Sequence, residues 1–307
     1  MRYPRCLLTR ISFILLLHAP LSAQPVLDSL SSSARKTPWI LQRKTLVTAG
    51  VVGQTLFATY LGYKWWWEGN YHAFRYENDG FWHNYSLGVD KVGHFYTSYF
   101  FYKAIREVMV WGGYQPSDAD LWGLGISLFY GVTVEIGDGF STYAFSGVDL
   151  AANVLGAGYG YLQHSVPFLQ NFKFKWSYYP SGKIPFDGDF RITDDYDGHI
   201  YWLSIDVHNL LPESWQSAWP KLLNLAVGYG GEDISGRPAW VNGTPIRAQG
   251  IPSRKWVIAL DYNLSSLPTT TDTWTMLKHL ADLFHYPAPA VRFVQHRKPI
   301  FKPFLLN

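Results

Sequence analysis

Three polar clusters interrupt otherwise uncharged stretches of this chain: Asp90-Lys91-x-x-His94, Glu135-x-x-Asp138 and Asp149-x-x-x-Asn153. An ionisable group among apolar helices costs free energy unless it is paired, so clusters recurring at helical spacing point to one shared site. Asp90 and His94 are four apart, as are Asp149 and Asn153, and Glu135 and Asp138 are three apart, so each pair shares a helix face. His94, Glu135, Asp138 and Asp149 form the candidate catalytic set. In it His94 is base or ligand, Glu135 and Asp138 are general base or oxygen ligands to a cation, and Asp149 orients His94. Asp90, Lys91 and Asn153 complete the set as ligand-binding residues. For a metal, the candidates are His94, Glu135 and Asp138, and one histidine among carboxylates suits Mg²⁺, Mn²⁺ or Ca²⁺ better than structural zinc. Two plainer roles compete. Asp90 and Asp149 stand where helices begin, and aspartate is a favoured N-cap. A satisfied polar network that only locks the helices together uses the same residue types.

The elements that must position these residues follow from periodicity. Thr45 to Tyr63 is 19 residues without Asp, Glu, Lys or Arg, bracketed by Lys44 and Lys64 and followed by Trp65-Trp66-Trp67. That is the length of a membrane-crossing helix, and equally of a buried helix in a bundle. A second helix is expected from Asp90 to about Trp111, stopped by Gly112-Gly113. A third follows the cap pattern Ser117-x-x-Asp120 and runs uncharged from Leu121 to Val134, and a fourth begins at Asp149. Running up, down and up, these three helices bring all three clusters to one end. Gly156-x-x-x-Gly160 in the fourth allows a close helix approach. Beyond Lys173 the period becomes two, with four strands around Phe174, Leu203, Leu225 and Ile258 and a closing amphipathic helix through Trp274, Leu277, Leu280 and Phe284. The expected fold is α+β: an N-terminal four-helix membrane-associated bundle, a small antiparallel β-sheet and a C-terminal amphipathic helix. The expected division is a signal peptide over 1–23, a flexible arm over 24–44, the bundle over 45–170 and the β-rich domain over 171–307.

Bulk composition narrows the function class. Arg2, Arg5 and Arg10, an apolar Ile11–Leu17 and Leu21-Ser22-Ala23 read as a secretory leader. Those arginines carry the whole formal charge of +3, so the mature chain is near neutral and a nucleic-acid partner is not expected. The single cysteine, Cys6, precedes the leader's apolar core, which leaves no thiol for a disulfide or a cysteine-ligated metal in the expected mature chain. Aromatic residues (18%) outnumber charged ones (16%), a composition suited to a boundary between oil and water. Ordinary inner-membrane insertion would leave Lys64 and Arg75 as the only basic residues in the cytoplasmic connections, against the positive-inside rule. An exported, membrane-associated protein of the periplasm or outer membrane fits better. Asp194-Asp195-x-Asp197-Gly198 lacks the later glutamate of a calcium loop and reads as a turn.

The pattern Asp90-Lys91-Val92-Gly93-His94-Phe95, Glu135-x-x-Asp138 and Asp149-x-x-Ala152-Asn153-x-x-Gly156 resembles the YfiM-like uncharacterised exported family, described as predicted periplasmic lipoproteins. More distantly it resembles the VanZ-like membrane proteins. The likeness spans about residues 85 to 165 and implies an envelope protein of unknown biochemical activity. Two functions follow as expectations. The first is a non-enzymatic protein that binds a polar ligand or lipid head group at the clustered pole, from an envelope lipid or cell-wall component, or that serves as scaffold. The alternative is a metal-assisted hydrolase or transferase acting on a lipid-linked head group.

Overall fold

A computed structural model describes residues 39–82, 84–183, 191–234, 240–241, 244–245 and 251–306. The expected leader, and the expected arm as far as residue 38, lie outside the described residues; residues 39–44 are already helical.

The first helix, α1 (Trp39–Gly62), runs into a π-helical turn, Tyr63–Trp67. A short strand β1 (Tyr76–Glu77) pairs in parallel with β2 (Phe145–Ser146), tying the loop before α2 (Val89–Trp111) to the connection between α3 (Pro116–Gly139) and α4 (Gly147–Ser165). Helices α2, α3 and α4 pack on one another, with α2 central. Contact between α2 and α4 depends on glycine. A Cβ on Gly156 would lie 2.0 Å from the Phe95 carbonyl oxygen, and one on Gly160 would lie 2.5 Å from the Tyr102 ring. Only a missing side chain permits that approach.

The expected four-helix bundle does not form. α1 meets the other helices only along one edge, where Val47 and Val51 pack with Ile105, Met109 and Ala119. Leu46, Val52, Leu56, Phe57 and Tyr60 remain exposed on it. Its apolar residues are spread around the whole circumference, so no single stripe commits it to a bundle core. The second flank of α2 is taken by the β-rich half instead: Tyr96 and Tyr99 pack with Phe174, Trp176, Tyr201, Leu283 and Phe284.

The sheet is also larger than the four strands expected. Strands β3 (Phe172–Tyr178), β4 (His199–Ile205), β5 (Leu223–Glu232), β8 (Ser253–Tyr262), β9 (Ala290–Val294) and β10 (Ile300–Lys302) form one antiparallel six-stranded meander in that order. Two short helices, α5 (Val207–Leu210) and α6 (Glu213–Gln216), link β4 to β5, and a small β6–β7 pair (Trp240–Val241, Thr244–Pro245) lies between β5 and β8. Helix α7 (Asp272–Ala281) precedes β9. β9 and β10 escape the periodicity because each is short and directly follows a proline, Pro289 or Pro299.

Alternation is clean along β8, whose exposed side carries large apolar residues. Along β8, Ser253, Lys255, Val257, Ala259 and Asp261 are buried while Trp256 and Ile258 are exposed. The buried face is built of small or charged residues around Ile200, Trp202, Ala226, Val257, Ala259, Ala290 and Leu305.

Candidate functional site

The first turns of α2 and α4 and the last turn of α3 meet at one pole, and Lys91 is its centre. Lys91 is 2% exposed. Its ammonium donates to Asp79 Oδ2 at 2.7 Å, Asp149 Oδ2 at 2.8 Å and Asp90 Oδ2 at 3.1 Å. His94, one turn further along α2, lies between carboxylates on both ring nitrogens. Nε2 is 3.8 Å from Asp90 Oδ1, and Nδ1 is 3.5 Å from Glu135 Oε1. Glu135 Oε2 accepts the backbone N–H of Ser146 at 3.2 Å, while Oε1, equally buried, has no hydrogen-bond partner among the described residues. Tyr196, from the β-rich half, donates its hydroxyl to Asp90 Oδ1 at 2.9 Å.

Neither aspartate serves as a helix cap. Ser146 caps α4, its Oγ accepting the Asp149 N–H, and Ser86 Oγ accepts the Asp90 N–H at 3.3 Å beyond a left-handed Gly88. With serines taking the capping role, both aspartate side chains are free to turn toward Lys91. The expected cap of α3 is displaced as well. That helix starts at Pro116 with no side-chain cap, and Asp120 lies inside it, accepting from Tyr102 and Arg106 at 2.8 and 2.6 Å.

The electrostatics follow from burial set against crowded carboxylates. Burial alone would lower the pKa of His94, but Asp149, Asp90, Glu135 and Asp138 outweigh it and raise it to about 9, so the imidazole is cationic at neutral pH. Glu135 is pushed up to about 8 by burial and then by Asp149 and Asp138, against the pull of His94. Burial also raises Asp149. For Asp90, burial is overcome by His94 and Lys91, and its carboxyl is held below the usual range. Lys91 is held above its ordinary value because Asp90 and Asp149 outweigh the burial that opposes its charge.

The remaining predicted residues are placed differently. Asp138 faces the π-helical turn after α1: its Oδ1 accepts the Trp67 indole N–H at 2.8 Å, and its charge acts on His94 and Glu135. Asn153 lies a turn deeper, its Oδ1 accepting from Ser98 Oγ at 3.0 Å and its amide nitrogen buried without an acceptor among the described residues. Ligand atoms of Asp90, His94 and Asp149 all lie within 4.8 Å of one another. Glu135 stands on the opposite ring nitrogen, so the structure groups donors around His94 in two sets. Asp138 belongs to neither.

Three participants lie outside the predicted set, and only Ser146 carries a local signal. Ser146-x-x-Asp149 is itself a capping pattern, as good as the Ser117 one. Asp79 stands in an aperiodic loop, and Tyr196 reaches Asp90 across 106 residues from a 3₁₀ turn, Tyr196–Gly198. No local rule could have joined them.

One family model matches this region. Residues 79–165 match the family described as predicted periplasmic lipoprotein (DUF2279). The matched stretch begins at Asp79 and ends with α4, so it contains every ionisable group bonded to Lys91. It supports an exported envelope protein of an uncharacterised family; the finer likeness to YfiM-like or VanZ-like proteins goes beyond it. No curated protein and no solved structure matches the chain.

Proposed function

We propose that the chain is an envelope protein, exported by the leader at 1–23, that rests against a membrane bordering the periplasm and binds a polar ligand or lipid head group at the His94 pole. The orphan Glu135 oxygen carries this reading. A buried acceptor left unsatisfied costs about 1–3 kcal/mol, and this one stands 3.5 Å from the His94 ring, unlike the equally unsatisfied Asp261 Oδ1 sealed inside the sheet. His94 beside it has a side chain 20% exposed, which gives a ligand a way in.

Support for the membrane comes from the outward sides of the helices. Leu56 and Phe57 of α1, Leu121 and Phe129 of α3 and Leu155 of α4 are all exposed, and apolar surface on this scale marks an interaction site. The Gln42–Trp67 segment has the length and hydropathy of a membrane span, with 22% of its most apolar window buried.

Flotation of the purified full chain with phospholipid vesicles, together with titration of soluble glycerophosphoethanolamine, glycerophosphoglycerol and peptidoglycan fragments, tests both halves. The chain is expected to float and to bind one of these probes. Glu135→Gln is expected to float equally while binding at least tenfold more weakly. A chain that neither floats nor binds overturns the proposal.

A second reading, hydrolysis or transfer at a lipid-linked head group, is favoured by an imidazole held between carboxylates on both nitrogens, the arrangement of a positioned proton donor or acceptor. Its test is phosphate or acyl release from envelope lipids, abolished by His94→Gln.

A further inference from the structure

Charge at the pole poses a question that the ligand-binding reading leaves open. Four aspartates, Asp79, Asp90, Asp138 and Asp149, together with the buried Glu135 carboxyl, face two cations, Lys91 and His94. Phosphate or carboxylate oxygens of an envelope ligand would meet excess negative charge there. A cation is what the site lacks.

We infer that Asp90, His94 Nε2 and Asp149 hold a divalent cation, with Glu135 as the residue that positions the imidazole, and that this cation receives the anionic oxygen of the ligand. The inference rests on the ligand-binding reading of the same pole. Three observations carry it. First, the donor atoms of Asp90, His94 and Asp149 lie within 4.8 Å of one another, and atoms on opposite sides of one cation are about 4–5 Å apart at ordinary metal–oxygen lengths. Second, these residues come from two helices whose approach is fixed by Gly156, so the spacing is set by packed backbone rather than by mobile loops. Third, Glu135 is 1% exposed and its Oε1 has no hydrogen bond among the described residues, yet it stands 3.5 Å from His94 Nδ1.

The third observation decides the orientation of the ring. If Nδ1 carries the proton, it points at the orphan oxygen, and the lone pair of Nε2 points toward Asp90 and Asp149. A carboxylate behind the far nitrogen of a metal-bound histidine is a recurrent way of fixing tautomer and raising ligand basicity. Binding of the cation releases the Nε2 proton to solvent and leaves the Nδ1 proton facing Glu135. Lys91 engages Asp90 through Oδ2 and lies 2.8 Å from both oxygens of Asp149, and Tyr196 donates to Asp90 Oδ1, which keeps those carboxylates in place. One nitrogen and two carboxylates favour a cation that accepts both donor types, so Mn²⁺ is the probe, with Mg²⁺ and Ca²⁺ as competitors.

The test uses the full chain, stripped with a chelator and titrated with Mn²⁺ while free ion is followed by electron paramagnetic resonance. One Mn²⁺ per chain is expected, with a ¹⁴N coupling from a directly bound imidazole in the spin-echo spectrum of the unmutated protein. His94→Gln is expected to lose that coupling and at least tenfold in affinity. Glu135→Gln should keep the coupling and weaken binding about tenfold, as loss of such an outer partner does elsewhere. No saturable uptake by the unmutated chain, or uptake without nitrogen coupling, overturns the inference whether or not the variants fold. Head-group binding that persists without any Mn²⁺ uptake sinks the cation and spares the ligand-binding reading. Mn²⁺ uptake without head-group binding does the reverse.

Discussion

Two buried lysines organise two halves of this molecule, and their surroundings differ in kind. Lys175, in β3, is fully buried and donates to Asp282 at 2.7 Å and to the Tyr262 carbonyl at 2.7 Å, with Asp261 at 2.8 Å. Lys173 joins the same Asp282 at 2.6 Å, so two lysines face two aspartates. Ser204 and Ser265 supply further donors to those carboxylates. The histidine beside this network, His285, is stacked on Trp202 at 3.8 Å, and burial lowers its pKa to about 4, so it is neutral. Lys91 instead gathers three carboxylates, with Glu135 and Asp138 close by, and its histidine is cationic. Balanced charge sealed inside a sheet is what a structural lock requires. Unbalanced charge beside a partly exposed imidazole is what a binding site requires. The lesson is that a buried lysine–carboxylate cluster says little until its charge and its exposure are compared with another in the same molecule.

Lys175→Met gives the hardest test of that contrast. It removes the lysine paired with Asp261 and leaves Asp282 with Lys173 alone, and should cost about 3–5 kcal/mol in denaturant unfolding; a cost below about 1 kcal/mol removes the claim that the sheet network is a lock.

The two halves should also respond oppositely to pH, each by on the order of 2–3 kcal/mol. Lys173 and Lys175, overcoming burial, hold Asp282 down to about 2, so its contribution is full above the ordinary aspartate value of 3.8 and is lost as pH falls from there toward 2. In metal-free protein His94, faced by Asp149, Asp90, Glu135, Asp138 and the Lys91 ammonium, contributes fully below 6.5 and loses that contribution as pH rises through about 9. Glu135, raised by burial, titrates in the same direction, disfavouring the fold as pH climbs from 4.5 toward 8. Thermal unfolding from pH 2 to 10 in chelator should therefore show an acid limb removed by Asp282→Asn and an alkaline limb reduced by His94→Gln, with the Glu135 part remaining. Exchange of the two limbs between the variants would invert the comparison.

Ser146→Ala, which removes the α4 cap, should cost about 1 kcal/mol in denaturant unfolding and leave the sheet untouched. Smallest is Glu135→Gln, which should change stability by less than about 1 kcal/mol, because it removes a burdened carboxylate rather than a satisfied one. A loss of several kcal/mol on this substitution would make the pole a lock like the sheet.

Much of the pole was legible before any coordinates. Spacings of three and four put Asp90 with His94, Glu135 with Asp138 and Asp149 with Asn153 on shared faces, and antiparallel helices brought their ends together. These follow from the helical repeat, which depends only on local backbone geometry. The same rule could not tell that Asp138 turns to Trp67, because a residue's partner lies across space and not along its own helix. Nor could it supply Asp79 or Tyr196, which arrive from loops with no period.

Local pattern also determined that Phe172–Tyr178, His199–Ile205, Leu223–Glu232 and Ser253–Tyr262 are strands, that the Asp194–Gly198 motif is a turn, and that glycines allow α4 to lie against α2. Only tertiary structure decided which side of those strands is buried, that α1 stays at the edge of the helical body, and that Glu135 and Asp90 take opposite nitrogens of His94. Periodicity sorts residues into faces, but a face becomes interior only when a partner of matching shape and charge covers it, and that partner is chosen by the whole chain.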